Sequence, residues 1–105
     1  MSALIYCPFP DTRSARAAAG QLLDERLIVC ANIGGAVHAI FDWRGTREQG
    51  EEVAVLFKTD AAVLARAVAR LEAIHPYDEP AIFGWPCTAT GAATRRWTGG
   101  LAGEP

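Results

Sequence analysis

Three cysteines, two histidines and a knot of three glutamates are the side chains of this 105-residue sequence whose types could do chemistry. Cys7, Cys30 and Cys87 could supply thiolates, His38 and His75 imidazoles, and Glu48, Glu51 and Glu52 carboxylates. Thiolate and imidazole together favour copper or zinc, and carboxylates can complete such a set. The spacing is not that of a zinc ribbon or a disulfide framework, because the cysteines are odd in number, far apart and in no Cys-x-x-Cys pair. Organic catalysis has less to work with. The sequence contains no Gly-x-Gly-x-x-Gly, Walker A, His-Glu-x-x-His or Gly-x-Ser-x-Gly pattern, and local sequence pairs no serine with either histidine. A hydrolase or transferase would have to assemble its machinery across subunits, so the chain reads as non-enzymatic.

Each of these residues also has an ordinary role. A cysteine in a strand serves as a small buried hydrophobe. His75 precedes Pro76 at the end of a helical pattern, where an imidazolium would interact favourably with the helix dipole. His38 reads as a surface residue. Glu48, Glu51 and Glu52 beside Arg44 and Arg47 read as a solvated hairpin with local ion pairs. Trp43, Trp85 and Trp97 are large apolar groups for packing or for anchoring an interface.

The elements that must position these groups follow from hydrophobic period and breakers. Ala3–Cys7 is a short apolar strand stopped by Pro8-Phe9-Pro10. Asp11 is a candidate N-cap for a helix over Thr12–Arg26, whose stripe is Ala15, Ala18, Ala19, Leu22 and Leu23. Gly20 inside that helix suggests close packing against a neighbour. Leu27–Ile33 and Ala36–Trp43 are two strand-like runs joined through Gly34-Gly35, which suggests a bulge or bend, with a tight turn as the alternative. Arg44–Arg47 looks like a hairpin loop, Glu52–Thr59 like the returning strand, and Asp60 like the cap of a second helix over Ala61–Ile74. A last apolar run, Ala81–Trp85, ends at Pro86, and a short helix is expected around Ala92–Trp97.

The order β-α-β-β-α-β predicts an α+β, ferredoxin-like domain over 1–105, an antiparallel sheet with both helices on one face. Cys7 and Cys87 should not meet within one subunit of such a sheet. Its other face would be apolar enough to require a partner surface, and self-association is the economical answer. A mass of 11.2 kDa allows one domain, and 50% hydrophobic residues with 21% charged exclude intrinsic disorder. Net charge is −2, with nine scattered arginines and a single lysine, Lys58, which argues against nucleic acid. No apolar run is long enough to span a membrane, and the N-terminal residues lack the basic, then apolar, build of a signal peptide, so the cytoplasm is the expected compartment.

Three blocks, in order and spacing, carry a family resemblance. Cys30-Ala31-Asn32-Ile33 is similar to an A-C-x-N strand. Phe41-x-Trp43-x-Gly45, Glu48, Glu52 and Leu56-x-Lys58-Thr59 resemble a Y-x-W-x-G…E…E…L-x-K-T segment, and His75-Pro76-Tyr77-x-x-Pro80 resembles H-P-Y-x-x-P-E. Together they resemble the CutA divalent-cation-tolerance proteins over Leu4 to Trp97. The resemblance implies a non-enzymatic homotrimer, similar in architecture to the PII signalling proteins, that responds to divalent cations and binds Cu(II) weakly, with no required cofactor. It places Cys7, Cys30 and His75 at metal-responsive positions, and Trp43, Glu48, Glu52, Lys58 and Tyr77 in a cleft between subunits. Two alternatives stay open: a PII-like sensor of a small ligand in that cleft, and a structural trimer on which other proteins dock. The sequence departs from the pattern at Ala81, where a glutamate is usual, and at Gly35, Ala39 and Phe41, where proline, serine and tyrosine are frequent. Ala81 removes a carboxylate ligand, and Ala39 and Phe41 remove hydroxyls from the cleft.

Overall fold

The computed structural model describes residues 1–103, so the last two residues of the expected 1–105 domain lie outside the described residues. The elements run β1 (Ser2–Phe9), α1 (Thr12–Asp24), β2 (Cys30–Trp43), β3 (Thr46–Asp60), α2 (Leu64–Ile74), β4 (Phe83–Pro86) and α3 (Ala92–Gly99). One sheet of order β2-β3-β1-β4 joins the strands, and every pairing is antiparallel. This is the expected βαββαβ, ferredoxin-like arrangement with a short C-terminal helix added.

Alternation in the two central strands divides the sheet into a covered and an open face. Ile5, Cys7 and Phe9 of β1 and Val55 and Phe57 of β3 point to the helices and are fully or almost fully buried. Against them α1 lays Ala15, Ala18, Ala19 and Leu22, and α2 lays Ala67 and Leu71. Burying each of the larger of these side chains contributes roughly 1.5–3 kcal/mol. On the other face Tyr6, Phe83 and Trp85 are exposed, the last two by 64% and 42%, and the register sets Leu4 opposite Trp85, Tyr6 opposite both Phe83 and Leu56, and Pro8 opposite Ala54. Around Tyr6, Phe83 and Trp85 this apolar face has no cover.

Asp11 caps α1 as expected, its carboxylate accepting a 2.7 Å bond from the Ser14 N–H. The helix stops at Asp24, two residues early, because Arg26 takes a left-handed φ of 57°. Leu23 falls off the buried stripe and is 43% exposed. Gly20 faces open space, so close packing does not explain it. Asp60 is not a helix cap: β3 runs through it, paired with Ser2, and its carboxylate accepts from the Ala62 N–H in a turn that delays α2 to Leu64. The two halves of the chain therefore echo each other less closely than their aspartates suggest.

The largest departure is the hairpin. β3 starts at Thr46, six residues before the expected Glu52, and pairs with β2 along its whole polar stretch. Trp43 faces Thr46 across a two-residue turn in which Arg44 and Gly45 both have positive φ, 50° and 83°, the geometry whose twist matches that of paired strands. The Gly34-Gly35 step is the expected bulge, shifting the register between Ile33 and Ala36. A Cβ on Gly34 would lie 3.1 Å from the Ala54 carbonyl oxygen, which is why glycine stands there. The last β1–β3 pair is Phe9 with Val53, so beyond it β2 and β3 continue as a two-stranded arm. The arm stretches the molecule to 47 × 26 × 23 Å, with a radius of gyration of 14.3 Å, against about 13 Å for a compact chain of this length.

Candidate functional site

The arm leaves the body where β1 ends, and the segment that follows α2 runs back beside its root. His75, the C-cap of α2, fixes that segment. Its ring stacks on Phe9 at 4.3 Å between centroids, Nε2 lies 2.9 Å from the Pro8 carbonyl oxygen, and Nδ1 lies 3.0 Å from the Tyr77 nitrogen. A carbonyl can only accept and an N–H can only donate, so the proton sits on Nε2 and the ring is neutral. Burial pushes the His75 pKa down, against the smaller opposing pull of the Pro8 carbonyl and Glu52. The imidazolium–dipole contact suggested by its place at a helix end is therefore not realised.

Tyr77 is held in turn by its hydroxyl, which donates a 2.9 Å bond to Glu52 Oε2 on β3. Burial, then that bond, push the Tyr77 pKa up to about 12. An open groove of about 870 Å³ lies between the arm and this segment, walled by Phe41, Trp43, Glu48, Glu52 and Tyr77 and floored by Pro8. Four of the five residues expected in the cleft, Trp43, Glu48, Glu52 and Tyr77, are thus brought together in one chain. Lys58 is not among them. It sits six residues along β3 from Glu52, about 20 Å at strand rise, opposite Leu4 and Cys30.

Arg44, Asp42, Asp78 and Glu79 are groove residues that sequence reasoning missed. From the hairpin turn Arg44 donates a 2.6 Å bond to Glu79 Oε2, and its guanidinium carbon lies 5.2 Å from the Trp43 ring centroid. Arg47 binds Asp42 through two bonds of 2.6 and 3.2 Å. The arginines of the hairpin therefore pair with Glu79 and Asp42, not with Glu48, Glu51 or Glu52. The Arg-Gly turn dipeptide was the available signal, since it fixes Arg44 beside Trp43; Glu79, 35 residues away, could not be foreseen as its partner. His38 lies on the exposed arm, 3.2 Å from Gln49 Oε1.

The expected metal set does not fit together within the chain. Cys7 is fully buried against the helices, its thiol directed at the Pro8 carbonyl, and burial pushes its pKa up to about 12. Both nitrogens of His75 are engaged. Cys30, opposite Lys58, belongs to the open face and so points away from both. Cys87 bonds its N–H to the Ser2 carbonyl, at the far end of β1 from Cys7, and the two do not meet. Among the described residues no three histidine, cysteine or acidic side chains cluster as a metal site.

The sequence as a whole matches the family model of the CutA1 divalent ion tolerance protein over residues 3–100. The chain belongs to the CutA1 family. A divalent-cation tolerance protein CutA from Thermococcus kodakarensis is 38% identical over 79 residues, 75% of each chain, and that of Pectobacterium atrosepticum is 30% identical over 94 residues, 90% of this chain and 86% of that one. Among solved structures, CutA1 of Ehrlichia chaffeensis superposes with a TM-score of 0.89 at 28% identity, covering 98% of this chain and 96% of that one. The periplasmic divalent cation tolerance protein CutA of Archaeoglobus fulgidus superposes at 0.90 and 27% identity, covering 98% and 100%. CutA1 proteins are named for tolerance of divalent ions and not for a catalysed reaction. No helix among the described residues is long and apolar enough to cross a membrane.

Proposed function

We propose that this CutA1 chain acts without catalysis in tolerance of divalent cations, as a homotrimer in the cytoplasm. The observation that carries the assembly is the sheet itself, with α1 and α2 on one face and Leu4, Tyr6, Leu56, Phe83 and Trp85 on the other. Its two outer strands, the long β2 and the short β4, present different free edges. Unlike edges support head-to-tail contacts, which close into a ring when the rotation from one copy to the next divides a full turn. Three free cysteines suit a reducing compartment. Copper enters this reading as a weakly held ion and not through Cys7 and His75, whose donor atoms are spent inside the fold.

Light scattering at micromolar concentration tests the assembly. The expected mass is three times that of the 11.2 kDa chain, and Trp85→Glu should lower it by placing a charge on the open face. A wild-type mass of one chain would overturn the reading. A second reading, a sensor that binds a small ligand beside the arm, is favoured by the groove that gathers Trp43, Glu48, Glu52 and Tyr77.

A further inference from the structure

The groove is lined by carboxylates from two directions. Asp42, Glu48 and Glu52 come from the arm and its root, Asp78 and Glu79 from the segment after α2, and among the described residues Arg44 is the one cation on its wall. Asp42 and Glu79 are paired with arginines and Glu52 accepts from Tyr77, which leaves Glu48 and Asp78 without a side-chain partner among the described residues. Phe41 and Trp43 are 43% and 41% exposed beside them. Aromatic faces with nearby carboxylates attract cations, and the attraction grows as water is displaced.

One cation already occupies part of this surface. The Arg44 guanidinium lies over the Trp43 ring and against the Glu79 carboxylate, yet its side chain is 72% exposed. With most of its side chain in water, it can be displaced. The carboxylates do not converge as the ligands of a metal ion must, and an anion would meet repulsion along most of the wall. Resting on the ligand-sensing reading of this groove, we propose that its ligand is a small organic cation bearing a guanidinium or primary amine, seated on Trp43 and paired with Glu48, with Arg44 as its internal competitor.

Titration calorimetry of the full chain with agmatine and spermidine, and with citrate, ATP and Ca²⁺ as contrasts, tests this. The amines should bind saturably and less tightly as salt is raised. Glu48→Gln should weaken them by up to about fivefold, the upper end for one exposed ion pair. Arg44→Asn should tighten them, since asparagine tolerates the left-handed turn position while the competing charge is gone. Circular dichroism would establish that both surface variants keep their fold. Binding of citrate or ATP that weakens in Arg44→Asn would overturn the organic-cation proposal and leave the sensor reading standing. Absence of binding by every probe would overturn both.

Discussion

The hydroxyl of Tyr77 and the carboxylate of Glu52, 25 residues apart in sequence and 2.9 Å apart in space, tie the segment after α2 to the root of the hairpin arm. The bond is partly shielded from water and its acceptor is charged. Tyr77→Phe is therefore expected to cost about 1–2 kcal/mol, read as a lower midpoint in denaturant unfolding. A double-mutant cycle with Glu52→Gln should return a coupling of roughly 1 kcal/mol. The phenol's pKa is raised from 10.0 to about 12, so its share of stability is complete below pH 10 and lost as pH climbs toward 12. The loss should vanish in Tyr77→Phe.

His75 carries the opposite pH dependence. Its pKa in the fold lies below the ordinary 6.5, chiefly through burial. The unfolded chain takes up a proton first as the solution is acidified, so the stabilisation is complete above pH 6.5 and falls as pH drops from there toward the folded value. Protonation would place a second donor opposite the Tyr77 N–H. Urea midpoints measured from pH 7.5 to pH 5 should decline in the wild type and flatten in His75→Gln; parallel slopes would assign the acid sensitivity elsewhere.

The three thiols should react in two classes. Cys30 and Cys87 are partly exposed, whereas Cys7 is buried, with a pKa moved from 9.0 to about 12. An aromatic disulfide reagent at pH 8 should label two thiols promptly and the third only with unfolding. Prompt labelling of all three would show that the helices do not keep Cys7 covered. The raised pKa also adds stability that is full below pH 9.0 and lost above it, and Cys7→Ala should remove that alkaline loss.

The tip of the arm depends on a glycine. Gly45 holds a φ of 83° with open space around its Cβ position, so the cost of a side chain there is conformational, not steric. Gly45→Ala should destabilise by about 1 kcal/mol while leaving the core intact, and Gly45→Asn by less. Thermal unfolding of the two variants checks the order.

Much of the fold was legible because local rules and global packing agreed. The apolar run Ala3–Cys7 reads as a strand and is one, although β1 runs on through Pro8 to Phe9; Asp11 ahead of a helical stripe opens its helix, and Gly34-Gly35 between two strand-like runs makes the bulge. The arm was not legible. Arg47–Glu51 has no apolar face, so its period is silent, and it is a strand because β2 offers it a complete ladder of partners. Asp60 misled for a similar reason: a residue able to cap a helix was already held by Ser2 in the sheet.

By itself the sequence determined the order of elements, the family and some residues of the groove, Trp43, Glu48, Glu52 and Tyr77 among them, since these rest on residue types at fixed spacings. Tertiary structure alone decided which of them share a site. It brought Glu79 to Arg44 and Tyr77 to Glu52, and left Lys58 far along β3. It also put Cys7 and Cys30 on opposite faces of one sheet. The physical reason is the period of two in a strand: a one-residue change of parity turns a side chain from core to open face, and the Gly34-Gly35 bulge makes such a change within β2.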